Sequence, residues 1–158
     1  TLKFEKNGSI SGHNTDVYGF EKSLLETVSE LPNKALILGT GGASSAIAFV
    51  MKKLNIEFTF VSRQKSKNSI EYIAVDESVL RQHLLIINAS PVGTFPKIEE
   101  APNLPYHGLT KDHILFDLIY NPLETQFLKE GKAKGCKVSN GLKMLEYQAE
   151  KSWEIWNQ

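Results

Sequence analysis

Apolar positions along this chain follow two alternating rhythms. Short stretches, Ala35 to Leu38, Glu57 to Val61, Leu84 to Ala89, Ile114 to Tyr120 and the brief Lys137 to Ser139, read as strands. Between them apolar residues recur at helical spacing over Ala43 to Leu54, Glu124 to Lys134 and Gly141 to Trp156. Upstream, Leu2, Phe4 and Ile10 flank an Asn7-Gly8 pair suited to a tight turn, which predicts a hairpin over Thr1 to Gly12. Asn14-Thr15-Asp16 then offers capping side chains to a helix bearing Val17, Phe20, Leu24 and Val28, ended by Pro32-Asn33. This alternation predicts an α/β fold: a doubly wound, mostly parallel sheet with helices on both faces.

Two stretches break the rhythm. Between Val61 and the apolar residues Ile70 to Val75 about eight residues intervene, too few for a helical crossover. Either that helix is missing or the strand pairs antiparallel. Ser90 to Asp112 holds four of the six prolines and shows no period, and so long a loop in a compact domain predicts a functional role.

Composition narrows the class. A chain of 158 residues suits one domain. Eighteen basic residues balance eighteen acidic ones, so no bulk attraction to nucleic acid or anionic lipid is expected. The longest apolar run, Ala46 to Met51, falls far short of the roughly 20 residues of a membrane-spanning helix. Cys136 is the single cysteine; it reads as a small apolar side chain and favours a reducing, cytoplasmic setting. His13, His83, His107 and His113 lack ligand spacing, so no metal is assigned. The chain lacks both an initiating methionine and a signal-peptide pattern, so it reads as a piece of a longer one.

The candidate chemistry starts at Gly39-Thr40-Gly41-Gly42-Ala43-Ser44, which leaves a strand and opens a helix. In that context Gly39 permits the tight turn, Gly41 lets backbone approach a pyrophosphate, and Gly42 and Ala43 offer amides at the positive helix end. Ser44 stands where a small residue allows close helix-strand packing. The bland alternative is a glycine turn that only joins two elements. Beyond the second strand, where NAD-selective sites place an acid, this chain has Ser62-Arg63-Gln64-Lys65. A guanidinium there favours the 2′-phosphate of NADP, the alternative being a solvated basic loop.

Five segments, in order and covering almost the whole chain, resemble the NADP-binding half of the shikimate dehydrogenase family. They are Gly12-His13-Asn14-Thr15-Asp16 with Gly19-Phe20; the glycine turn with Ser62-Arg63; Asn88-Ala89-Ser90-Pro91-Val92-Gly93; Asp117-Leu118-Ile119-Tyr120-Asn121-Pro122; and Asn140-Gly141-Leu142-Lys143-Met144 through Gln148-Ala149. The resemblance implies a Rossmann-like NADP(H)-binding domain of an oxidoreductase that reduces 3-dehydroshikimate to shikimate in aromatic amino-acid biosynthesis. It implies Asp16 as the catalytic aspartate, Asp16, Tyr120 and Gln148 as substrate-binding, and Gly39, Gly41, Gly42, Ala43, Ser62, Arg63, Asn88, Ser90, Gly141 and Met144 as cofactor-binding. The partner lysine would come from an N-terminal substrate domain that this chain lacks, which leaves it inactive alone. Ser90 and Thr94 depart from the family's usual threonine and methionine.

Three regions follow: residues 1–30 as hairpin and connecting helix at the junction with the substrate domain, 31–139 as the NADP-binding domain, and 140–158 as a helix closing the cleft. On that last helix Leu142, Leu145, Ala149, Trp153 and Trp156 form an apolar stripe expected to pack, and Gly141, Met144 and Gln148 form a neighbouring stripe expected to face the cleft. A dual quinate/shikimate dehydrogenase and a non-catalytic NADP-sensing module remain as rivals; in the sensor Asp16 and Gln148 would be superfluous.

Overall fold

The computed structural model describes all 158 residues. A hairpin of β1 (Leu2–Phe4) and β2 (Ile10–Gly12) leads into α1 (Thr15–Thr27), where Asn14 caps the helix by accepting the Asp16 amide. There follow β3 (Lys34–Leu38), α2 (Gly42–Lys53), β4 (Glu57–Ser62), β5 (Ser69–Glu71), α3 (Glu77–Gln82), β6 (Leu85–Asn88), β7 (Ile114–Asp117), α4 (Gln126–Ala133), β8 (Lys137–Ser139) and α5 (Leu142–Trp156). The last six strands form one parallel sheet in the order β5-β4-β3-β6-β7-β8. The expected doubly wound, Rossmann-like architecture is what the chain adopts.

Alternation along the central strands splits the interior in two. Ala35 and Ile37 of β3, Leu85 and Ile87 of β6, and Phe116 of β7 pack with Phe20 and Leu24 of α1, Ile47 and Met51 of α2, and Met144 of α5. Leu36, Leu38, Ile86 and Leu115 point the other way, onto Leu80 of α3 and Phe127 and Leu128 of α4. Each central strand is therefore buried on both faces, which is why it reads as a continuous apolar run. No helix is long and apolar enough to cross a membrane.

The structure sharpens or corrects several expectations. The crossover helix between β4 and β5 is missing, yet β5 still pairs parallel to β4, with Phe60 opposite Ser69 and Ser62 opposite Glu71. Six residues suffice because the chain doubles back over only three pairs. The strand expected through Tyr120 stops at Asp117, so Tyr120 lies in a loop. The long Ser90 to Asp112 connection contains only a short 3-10 turn at Tyr106–Gly108, and its distal part is structural: Leu104 and Leu109 are buried in the second core.

The largest correction concerns α5. Gly141, Met144, Ser152 and Ile155 are buried, whereas Trp153 is 67% and Trp156 57% exposed. Gly141 and Met144 of the stripe expected to face the cleft thus pack inward, Gln148 stays half-buried at its edge, and Leu145, Ala149, Trp153 and Trp156 of the apolar stripe point outward. Gly19 explains the reversal: a Cβ there would stand 2.5 Å from the Met144 carbonyl oxygen, so α1 and α5 cross with their backbones nearly touching. Small residues make that approach possible, and indole rings could not fit between the helices. The outward indoles continue onto the hairpin, where Trp156 Nε1 donates to the Leu2 carbonyl at 2.8 Å and Leu2, Phe4 and Ile10 are exposed.

Candidate functional site

Strand order reverses between β3 and β6, and the loops leaving their carboxyl ends form the crevice where open α/β sheets bind ligands. Gly39 leaves β3 with φ +106°, a conformation that suits glycine, and a Cβ there would come within 3.1 Å of the Ala89 carbonyl oxygen. Gly41, Gly42 and Ala43 are exposed at the start of α2, and a Cβ on Gly41 or Gly42 would meet nothing within 4 Å. No side chain caps this helix. Its amides and its positive end are therefore open to an anion, a cradle that fits a dinucleotide pyrophosphate. Ser44 is 1% exposed, as its packing role requires.

At the end of β4 Arg63, Lys65 and Lys67 are exposed. Ser69, buried beneath them, gathers the short loop, its Oγ lying 3.0 Å from Ser62 Oγ and 2.8 Å from Ser66 Oγ while accepting the Ser66 amide at 3.1 Å. The Ser62 hydroxyl also donates to the Gln64 carbonyl, so it turns into the loop and braces the segment carrying Arg63. Burial pushes the Tyr72 phenol upward, and the Arg63 charge pulls the other way.

Asn88 and Asp117 end adjacent strands and face each other in register. Asn88 Nδ2 donates to Asp117 Oδ1 at 3.1 Å and to the Val92 carbonyl at 3.2 Å, and its Oδ1 accepts the Ser90 amide and hydroxyl at 3.1 and 2.7 Å. Asp117 also accepts from the Ile119 amide at 3.0 Å and Thr125 Oγ1 at 2.6 Å. Burial raises its carboxyl to about 6, partly offset by hydrogen bonds from Thr125, Ile119 and Asn88. Because the folded state holds this proton more tightly than the unfolded chain, stability should fall as pH rises from about 4 to about 6. A shift of about two pH units corresponds to roughly 3 kcal/mol. Urea unfolding across this range should show the wild type losing stability relative to Asp117→Asn, and parallel curves would contradict it.

Sequence reading did not single out Asp117 or Thr125 as site residues. The signal was there: a lone acid closes the apolar run Ile114-Leu115-Phe116, and a threonine precedes the next helix.

The substrate-side residues meet elsewhere on α1 and α5. The Gly19 crossing sets Thr15 beside Gln148, with Thr15 Oγ1 donating to Gln148 Oε1 at 3.3 Å, and Asp16 and Gln148 line one open cleft of about 530 Å³ with Gly12, His13 and Asn14. Asp16 is exposed. Tyr120 is 49% exposed on the loop after β7, a loop that Phe95 joins by donating its amide to the Asn121 carbonyl. Gly141 and Met144, expected along the cofactor, are buried. Gly141 lies so close to Leu118 that a Cβ would be 2.0 Å from its carbonyl oxygen, and Met144 belongs to the first core. No group of three or more His, Cys, Asp or Glu side chains could hold a metal ion.

No protein-family model matches the chain. Over 99% of its length it is 41% identical to a shikimate dehydrogenase (NADP(+)) of Methanococcus maripaludis and, again over 99%, 38% identical to that of Aquifex aeolicus. It spans 61% and 60% of those two proteins. Among solved structures, the shikimate 5-dehydrogenase of Thermus thermophilus in complex with NADP(H) and shikimate matches with a TM-score of 0.82 at 32% identity. That match covers 96% of this chain and 59% of the other.

Proposed function

We propose that this chain, homologous over 99% of its length to shikimate dehydrogenases, is the NADP-binding part of an enzyme that reduces 3-dehydroshikimate to shikimate. The observation that carries the reading is the α1–α5 crossing, which sets Asp16 and Gln148 on one cleft although 132 residues separate them. A sensor module would have no use for that pairing.

NADPH, when bound, supplies the hydride. The open amides after Gly39 hold its pyrophosphate, Arg63 grips the 2′-phosphate from a loop that Ser62 and Ser69 brace, and Asn88 and Ser90 shape the nicotinamide side. Gly141 acts by letting α5 start against the exit of β7. Met144 supports that wall from the core. Gln148, whose Oε1 is engaged by Thr15, keeps its Nε2 for a substrate hydroxyl, and Tyr120 reaches the substrate from its exposed loop. Asp16 would orient a lysine from a substrate domain outside these residues and share its proton traffic toward the developing alkoxide, help worth roughly 10² to 10⁴ in rate.

Residues 1–30 and 140–158 form the junction with that domain in this reading, and 31–139 bind cofactor. The outward face of Trp153, Trp156, Leu2, Phe4 and Ile10 supports the assignment, because a contiguous apolar surface of this kind is suited to burial against a partner.

NADPH oxidation with 3-dehydroshikimate tests the function. The complete enzyme should turn over and this segment alone should not. Inactivity of both would remove the proposal, and activity of the segment would remove the need for a second domain. Cofactor choice is tested by calorimetry: Arg63→Ala should weaken NADP⁺ about tenfold or more, a charge-assisted contact of roughly 1.5 to 3 kcal/mol, and leave NAD⁺ unchanged. Equal losses for both cofactors would contradict a phosphate role.

A further inference from the structure

We infer that Asp117 is a positioning residue for this site: its carboxylate fixes the loop after β6 and the loop after β7 relative to each other, so that Asn88, Ser90 and Tyr120 are presented as one surface. The inference rests on the cofactor and substrate roles proposed for those three residues.

Each link is a hydrogen bond with a determined direction. Ile119 N–H and the Thr125 hydroxyl donate to Asp117, and so does Asn88 Nδ2, because the Asn88 amide is fixed by its other partners: Oδ1 takes the Ser90 amide and hydroxyl, and Nδ2 takes the Val92 carbonyl. Every neighbour of Asp117 thus donates to its carboxylate, Asn88 and Ile119 sharing Oδ1 and Thr125 taking Oδ2. One oxygen ties the Asn88 loop to the start of the Tyr120 loop; the other anchors Thr125, which caps α4 by accepting the Leu128 amide at 3.4 Å.

The backbone supplies further ties between the same two loops. Leu118 N donates to the Asn88 carbonyl at 3.0 Å and Phe95 N to the Asn121 carbonyl at 3.2 Å. These lie before and beyond the side-chain node, and Asp117 joins the segments between them. The residue is wholly buried. A carboxylate desolvated beneath a ligand crevice opposes folding, and local rules are broken in this way chiefly where function requires it.

The test combines NADP⁺ calorimetry with amide exchange at Ser90, Val92 and Ile119 for Asp117→Ala, Asp117→Asn and Asn88→Ala. Asp117→Ala should weaken NADP⁺ about tenfold and speed exchange at all three amides by a similar factor, while Asp117→Asn, which keeps one accepting oxygen, should recover most of both. At the Ile119 amide the effects of Asn88→Ala and Asp117→Ala should be less than additive, since both remove the Asn88–Asp117 bond. NADP⁺ affinity within twofold of wild type in folded Asp117→Ala, or fully additive losses, would overturn the inference. If Asp117→Ala does not fold, Asn88→Ala decides it at the Ile119 amide, which shares Asp117 Oδ1 with Asn88: faster Ile119 exchange would support the inference and unchanged exchange would overturn it. A wild type that binds no NADP⁺ would refute the cofactor reading instead, and the exchange data would still report on the link.

Discussion

Under the proposed function, Asp16→Asn should lower turnover of 3-dehydroshikimate in the complete enzyme by about 10² or more while NADPH affinity stays nearly constant. The side chain sits in the first turn of α1, where the Asn14 cap fixes the backbone and its carboxylate faces the open cleft beside Gln148. Asparagine preserves shape and can still stand at a helix start, so folding should change only by the fraction of a kcal/mol that a carboxylate contributes at that end. What it cannot do is hold a negative charge beside an ammonium. Steady-state kinetics with both substrates varied, together with a melting curve, separate the outcomes. A variant within threefold of wild-type kcat would remove Asp16 from proton transfer, and a large drop in melting temperature would reassign it to the fold.

Gly141→Ala should be the most damaging single methyl added to this chain. The new Cβ would stand 2.0 Å from the Leu118 carbonyl oxygen and 2.5 Å from its carbon, both backbone atoms that no rotamer change can move aside. The Gly141 amide also donates to the Ile119 carbonyl at 3.0 Å, so relieving the clash breaks the bond that starts α5. Overpacking of this severity costs about 3 kcal/mol, or roughly 6 to 12 °C in a domain of this size. Gly41→Ala is the control. Its added methyl meets nothing within 4 Å, so stability should hold while NADP⁺ affinity falls as the methyl enters the phosphate cradle. Equal melting temperatures for the two variants would contradict the packing argument.

The contrast between those glycines shows what the sequence made legible. Apolar runs separated by helical periods identified the sheet and its two covered faces, because burial on both sides leaves no polar alternation to confuse the pattern. Gly39 to Gly42 was readable because its physics is local. The α5 faces were not: periodicity says which residues share a stripe, but which stripe turns inward was decided by Gly19, more than a hundred residues away. Asp117 escaped for the same reason. Its donors come from Asn88, Ile119 and Thr125, and only the parallel pairing of β6 with β7 brings the first of them to it. The parallel pairing of β5 stood beside an antiparallel alternative because the crossover rule assumes a full-length partner, and three residue pairs do not require one.

The brevity of β5 has a consequence for how these molecules behave in a crowd. The two outermost strands of the six-stranded sheet, β5 and β8, are each three residues long. An exposed strand edge is a template on which a foreign chain can extend the sheet, and short edges flanked by charge deny it length and register. Lys67 and Glu71 frame one edge, Lys134 and Lys137 the other. Fibrillar growth by strand addition is therefore blocked at both sides of the sheet. The aggregation hazard of these 158 residues concentrates on their exposed indoles, where it should appear as reversible, concentration-dependent clustering.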